Sequence, residues 1–301
     1  MVEPGRPRLR IGTGGVPASA RARSTEAGVR RVRELGLDLL EIEWVNGVRI
    51  GEESARAVQA AAEASDVALT AHGPYYVNLN SRDPRVRAAS LERLFQTARA
   101  GAWCGARSFT FHAAFTHGDP PEAVHRAVRA ALEELVGRVR DAGLDIQVRP
   151  ELTGKPSQYG SLEDLLRLSQ EVPGVYPCVD FSHYHARHGG GQNGYASFSR
   201  TLEAVRRALG PGALDELHMH VSGIEYGPGG ERRHVPLPEA DLRYRELLQA
   251  LWDHRVGGWL VSESPVLEQD ALRLRRAYRQ AARGTLAARA AAEAGATEET
   301  V

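Results

Sequence analysis

Short apolar runs recur along the chain at 9–13, 39–44, 68–72, 108–112, 145–151, 175–181, 216–221 and 259–263. Most are continuous rather than alternating, the pattern of strands covered on both faces. Between them apolar positions fall at helical spacing over 25–34, 52–64, 84–104, 121–142, 161–171, 196–209, 239–254 and 269–292. Ser24 stands as a cap before the first, Pro84 at a permitted first-turn position of the third, and Ser161-x-x-Asp164 resembles a capping box at the fifth. Eight strands, each followed by a helix over roughly 250 residues, predict a closed (β/α)8 TIM barrel, an α/β fold in one domain over 1–283. An open doubly wound sheet would want a glycine-rich phosphate loop after the first strand, and Gly12-Thr13-Gly14-Gly15 lacks that spacing. From about 284 the chain turns alanine-rich and then acidic, so 284–301 is expected to be a helix extension ending in a disordered tail.

Composition narrows the function classes. Lys+Arg and Asp+Glu both count 38, giving a formal net charge of zero, which argues against a generic nucleic-acid coat but leaves room for a local basic groove. Lys155 is the sole lysine; the remaining 37 basic residues are arginine, read as a composition bias. Cys104 and Cys178 are isolated, suggesting a reducing compartment without a disulfide framework. Neither a signal-peptide core nor an apolar stretch of the roughly 20 residues a membrane span needs is visible, so a cytoplasmic protein is expected.

The chemistry gathers at the carboxyl ends of the strand candidates, which is where a barrel carries its active site. The runs end on, or just before, His72, His112, Glu151, Asp180 with His183 behind it, His218-Met219-His220, and Glu263. Any one of these histidines alone reads most simply as a buried, hydrogen-bonded core residue, and a lone strand-end carboxylate as a salt-bridge partner. Together they resist that reading. Glu151, Asp180 and Glu263 packed side by side would repel unless protonated or metal-bound. Imidazole and carboxylate donors without paired thiols suit zinc, manganese or iron, and two or three neighbouring ions suit phosphoester hydrolysis. His218 and His220, two apart on a strand, face the same side. His117, His125, His185, His188 and His254 fall in loops or on helices and are taken as surface or loop residues. The loop after His72 carries Tyr75, Tyr76 and Asn78 beside the expected metal, as a wedge that could stack on bases or as a loop that buries its own aromatics. Arg49, after the second strand, could reach the same substrate or be plain surface.

These residues taken together resemble the endonuclease IV family of apurinic/apyrimidinic endonucleases, within the xylose isomerase-like barrels, from about Leu9 to Glu263. The most specific stretches are His72-Gly-Pro-Tyr-Tyr-Val-Asn-Leu-Asn, Val-Asp180-Phe-Ser-His183, His218-Met-His-Val-Ser and Glu263-Ser-Pro. The resemblance implies zinc-dependent cleavage of DNA 5′ to abasic sites. It implies two or three zinc ions (manganese possible at one or more) and no membrane or protein partner. His72, His112 and Glu151 would hold the first ion; Glu151, Asp180, His218 and Glu263 the second; His183 and His234 the third. Glu151 and Glu263 would be the catalytic residues and Tyr75, with Tyr76 after it, would match the family's DNA-penetrating residue; Asn78 and Arg49 are expected as DNA contacts from their loops. One departure stands out. In Gly230-Glu231-Arg232-Arg233-His234 an arginine, Arg232, occupies the place of the family's aspartate ligand, so Glu231 or His220 would have to supply the missing donor.

Two other readings follow from the same residues. A single-metal sugar isomerase or epimerase would use Glu151, Asp180, His218 and Glu263, and would leave His72, His112, His183 and His234 without a shared task. A catalytically silent barrel that binds damaged DNA or a small molecule would draw its support from Arg232.

Overall fold

A computed structural model describes the backbone of residues 7–298 and the side chains of residues 7–285. Eight parallel strands form one sheet: β1 (Leu9–Gly14), β2 (Leu39–Glu43), β3 (Ala68–His72), β4 (Ser108–Phe111), β5 (Gln147–Pro150), β6 (Cys178–Asp180), β7 (Leu217–Val221) and β8 (Gly258–Ser262). Their order in the sheet is β5-β4-β3-β2-β1-β8-β7-β6. Two isolated parallel bridges, Val148 to Val175 and Glu151 to Cys178, bring the open edges together into a barrel. The strand bounds lie close to those read from the sequence, because strands buried on both faces leave uninterrupted apolar runs.

The helices around the barrel are α1 (Thr25–Glu34), α2 (Glu52–Ser65), α3 (Pro84–Cys104), α4 (Pro121–Asp141), α5 (Leu162–Glu171), α6 (Phe181–Arg187), α7 (Tyr195–Leu209), α8 (Tyr244–Asp253) and α9 (Glu268–Glu298). Ser24 accepts from the Ala27 amide at the start of α1, and Asp83 from Arg85 at the start of α3. Ser161 and Asp164 form a reciprocal capping box on α5. The stretch expected as a helix extension is helical to Glu298; residues 299–301 lie outside the described residues. Among the described residues no helix is long and apolar enough to cross a membrane.

The main core lies between sheet and helices, around Leu94, Phe109, Phe111, Leu132 and Leu248. A second, small cluster of Leu39, Trp259 and Val261 sits apart from it. It belongs to the barrel interior, where the inward positions of each strand alternate with outward ones. Above this floor the interior turns polar: Thr70 Oγ1 donates to Glu41 at 2.8 Å and Ser108 Oγ meets His218 Nδ1 at 2.8 Å. The mouth above that layer carries the donors.

Candidate metal centre

Each donor occupies the last inward position of its strand or the residue just beyond it. His72 ends β3, His112 follows β4, Glu151 follows β5, Asp180 ends β6, His220 stands near the end of β7 and Glu263 follows β8. Asp180 also begins α6: its Oδ1 accepts from the Ser182 and His183 amides at 2.6 and 2.7 Å. That cap turns the first helical residues back over the barrel and carries His183 to the mouth. His234 and Glu231 come from a hairpin, Gly223–Gly227 paired with Gly230–Val235, that lies across the opening.

Five donor groups result among the described residues, within each of which the ligand atoms lie within 4.8 Å of one another; three of them gather the strand-end histidines with the carboxylates. In the first, Glu151 Oε2 is 3.1 Å from His72 Nε2 and 3.4 Å from His112 Nε2. In the second, His220 Nδ1 is 3.4 Å from Glu151 Oε1 and 3.3 Å from Glu263 Oε2, with Asp180 completing the set. In the third, His183 Nε2 and His234 Nε2 face each other at 3.3 Å, Glu263 joins them, and Glu231 Oε2 stands 3.6 Å from His183.

The hydrogen bonds around these groups fit cations. The Nδ1 atoms of His72, His183 and His234 meet main-chain oxygens of Gly73, Leu152 and Glu263 at 2.7, 3.0 and 3.0 Å. A carbonyl only accepts, so each Nδ1 carries the hydrogen and each neutral ring turns an Nε2 lone pair inward. Two such lone pairs at 3.3 Å repel unless a proton or a cation lies between them. In the second group, Glu151 Oε1, Asp180 Oδ2, His220 Nδ1 and Glu263 Oε2 are buried and make no hydrogen bond among the described residues. Unpaired buried polar atoms are costly, and four converging ones form a donor set that a divalent cation satisfies.

Without metal, protons take that role. Burial alone would depress His72, but Glu151, with Glu43 and Glu263 behind it, raises it to about 10. Burial alone would raise Glu151, yet the charges of His112 and His220 hold it well below the usual carboxylate range. His183 and His220 are likewise raised against burial, by Asp180 and Glu151 in one case and by Cys178 and Glu263 in the other.

The structure departs from the sequence reading at several positions, and two histidines expected at the surface or in loops are buried: His125 meets Tyr159 and Glu171, and His185 meets Asp241. His218 does not reach the carboxylate cluster: it lies one inward step below His220, a rise of roughly 6.6 Å. There it is fully buried, 2.9 Å from Glu41 Oε2, and burial lowers it to about 4. Its donor neighbours are Cys178 and His220. His220 takes the place in the second group that the motif register gave to His218. Arg232 points outward toward Glu225 at 3.8 Å, and Glu231 enters beside His183 at 3.6 Å, next to the third group of His183, His234 and Glu263. Gly154 makes that entry possible, since a Cβ there would stand 2.6 Å from the Glu231 Cβ. Asn78 holds its own loop: Oδ1 accepts from the Phe115 and Asn80 amides at 3.2 Å each, and Nδ2 meets His117 at 2.9 Å. Its amide is thereby engaged away from any substrate.

The two tyrosines are exposed, Tyr75 at 57% and Tyr76 at 50%. The Tyr75 ring is 5.6 Å from that of His72, over the donors, while Tyr76 lies under the Arg93 guanidinium at 5.0 Å. Arg49 is exposed in the loop after β2. The cavity at the mouth measures about 360 Å³ and is bordered by Tyr75, Phe115, Lys155, His183 and Glu263. A larger groove, about 930 Å³, opens at the opposite end of the barrel between Arg8, Arg107 and Trp259, away from the donor groups at the mouth.

Glu41 and Glu43 escaped the sequence reading. Their signal was present as acids at alternate positions of an apolar run, Leu39-Leu40-Glu41-Ile42-Glu43. Glu41 Oε1 lies 2.9 Å from His220 Nε2, so it orients the ring whose Nδ1 faces the second group. Glu43 joins Glu41 and Glu263 in a further acidic group, and burial pushes its carboxyl up to about 8. The Glu41→Gln variant should weaken metal binding on the order of 10–100-fold, the usual effect of removing an orienting carboxylate. Competition with a calibrated chelator measures this, and an affinity within twofold of the parent would deny Glu41 that role.

A parallel barrel with imidazoles and carboxylates converging at its strand ends is the architecture of enzymes that work with metal ions. The chain belongs to the xylose isomerase-like TIM barrel family, whose model matches residues 29–287. It is 37% identical over 272 residues to an uncharacterized protein of Methanocaldococcus jannaschii, covering 90% of this chain and 97% of that one. A probable endonuclease 4 of a Geobacillus species is 27% identical over 170 residues, 55% of this chain and 54% of the other. Among solved structures, endonuclease IV from Thermus thermophilus superposes with a TM-score of 0.69 at 19% identity, over 91% of this chain and 99% of that one. A D-tagatose 3-epimerase-like protein superposes with a TM-score of 0.68 at 16% identity, over 90% and 97%. Both superpositions establish the fold.

Proposed function

We propose that this barrel is a metal-dependent phosphodiesterase of endonuclease IV type, cleaving DNA on the 5′ side of abasic sites. The observation that carries the reading is the division of Glu151: one carboxylate oxygen faces His72 and His112, the other faces His220 and His183. Together with the facing His183 and His234 nitrogens, this supplies donors for two or three ions. A single-ion enzyme would leave half of these donors idle. The first ion would be held by His72, His112 and Glu151, the second by Glu151, Asp180, His220 and Glu263, and the third by His183, His234 and Glu263, with Glu231 beside His183. Zinc fits the imidazole-rich set, with manganese an alternative at the carboxylate-rich one. Bound there, the ions would polarise the phosphate and lower the pKa of water.

The chain's own residues do the rest. Glu151 fixes the spacing of the first two groups, and Glu41 and three main-chain oxygens orient the imidazoles. Tyr75, exposed above His72, offers a face on which a base or sugar can stack. Elemental analysis should find two or three ions per chain. Incision of an abasic duplex should stop with chelator and return with zinc.

A sugar epimerase is the second reading, favoured by Glu43. A carboxyl raised to about 8 beside Glu263, which itself borders the cavity of about 360 Å³, suits proton transfer next to a carbonyl. One ion per chain and interconversion of ketohexoses without incision would assign that activity instead.

A further inference from the structure

We propose that Lys155 is the residue that engages the phosphodiester of the substrate, an assignment that rests on the phosphodiesterase reading and adds the anion contact it lacks. In a chain with 37 arginines, the one lysine borders the cavity at the metal centre. Among the described residues no carboxylate lies within ion-pair distance of it, although Glu231 and Glu263 border the same cavity. An unpaired ammonium beside an acid-rich site is placed to meet an anion that enters from outside.

Its backbone is held from two sides. The Lys155 carbonyl accepts from Arg187 Nη1 at 2.7 Å and from the Gln158 amide at 3.0 Å. Arg187 also reaches Thr153 and Gln158, stapling the 153–158 turn. The hairpin closes on the other side: the Glu231 amide donates to the Gly154 carbonyl at 2.9 Å, and a Cβ on Gly230 would lie 3.1 Å from the Lys155 Cα. The side chain therefore leaves a fixed point, the condition for a defined ligand contact. Tyr75 and Phe115, 57% and 41% exposed, border the same cavity. Aromatic faces and an ammonium around one cavity match a ligand that joins a flat or sugar-like unit to a phosphate. A compact ammonium fills this place as a point charge, where the planar guanidinium fork is broader.

The contact is tested with Lys155→Met, which keeps the stem and removes the charge, and Lys155→Arg, which restores charge. Inorganic phosphate is titrated into the zinc-loaded proteins by calorimetry. Abasic duplex is titrated by anisotropy into chelator-treated protein across a salt series. Lys155→Met should bind phosphate about tenfold more weakly and show a log–log salt slope smaller by about 0.9, one phosphate contact. Bound zinc and melting temperature should stay at parent values, and Lys155→Arg should recover most of both losses. Parent-like phosphate affinity and salt slope in Lys155→Met would overturn the assignment. So would a loss seen only when ribose 5-phosphate is titrated in the same calorimetry, with phosphate and duplex binding at parent values, which would give the lysine to a sugar phosphate ester. If the parent protein incises no abasic DNA while Lys155→Met still loses phosphate and duplex slope, the incision reading falls and the phosphodiester contact stands.

Discussion

Replacing Glu151 by glutamine should abolish incision, with a loss on the order of a thousandfold or more, and should lower the metal content of the protein. Removal of a single stabilising donor from an active site costs on the order of 10²–10³ in rate. Glu151 is a more demanding case because its two oxygens serve two donor groups. The amide keeps the shape but offers one neutral acceptor and a donor where two anionic acceptors stood. His72 then loses the partner that does most to raise it. DNA binding should survive, since Tyr75 and the exposed rim are untouched. Incision and bound zinc measured on the same preparation decide the matter: activity within tenfold of the parent at full metal content would remove Glu151 from the chemistry.

Stripping the metals should destabilise the fold, and the loss should grow with pH. Ligand present at a thousand times its dissociation constant contributes about 4 kcal/mol, on the order of 10 °C in melting temperature for a chain of this size. The pH dependence follows from His72. In the metal-free fold it is raised to about 10, against an unfolded value near 6.5. Its protonation therefore stabilises the metal-free fold fully below pH ~6.5, and that stabilisation disappears as pH rises toward 10. The loaded fold requires the same ring neutral, so metal affinity rises with pH. Melting curves with and without chelator at pH 6 and pH 8.5 should show the wider gap at the higher pH. Equal gaps would mean that His72 does not exchange a proton for a metal.

Much of this was legible in the sequence because barrel strands repeat one simple rule. Each is covered on both faces, ends at the mouth, and places its last inward residue there. The apolar runs therefore located His72, His112, Glu151, Asp180 and Glu263 without any structure. The rule fails where periodicity carries no depth. His218 and His220 share a face, and period two cannot say which reaches the mouth; both meet Glu41, but only His220 turns its other nitrogen to Glu151 and Glu263, while that of His218 meets Ser108. Glu41 and Glu43 sit inside the apolar run 39–44 rather than at its end, so the strand-end rule does not single them out. Helix α6 has seven residues and no apolar stripe, so its only signal was Asp180 as a cap. The hairpin carrying Glu231 and His234 read as loop, since polar residues on a strand that covers an opening have no buried face to mark them.

At Nδ1, two mouth histidines, His72 and His234, are held by peptide oxygens rather than by neighbouring side chains. Peptide oxygens persist whatever amino acid stands at their position. Divergence around the rim can thus recut loops for a new substrate while the imidazoles stay aimed. A lineage of this barrel can drift far in sequence and change its reaction without first rebuilding the chemistry at its centre.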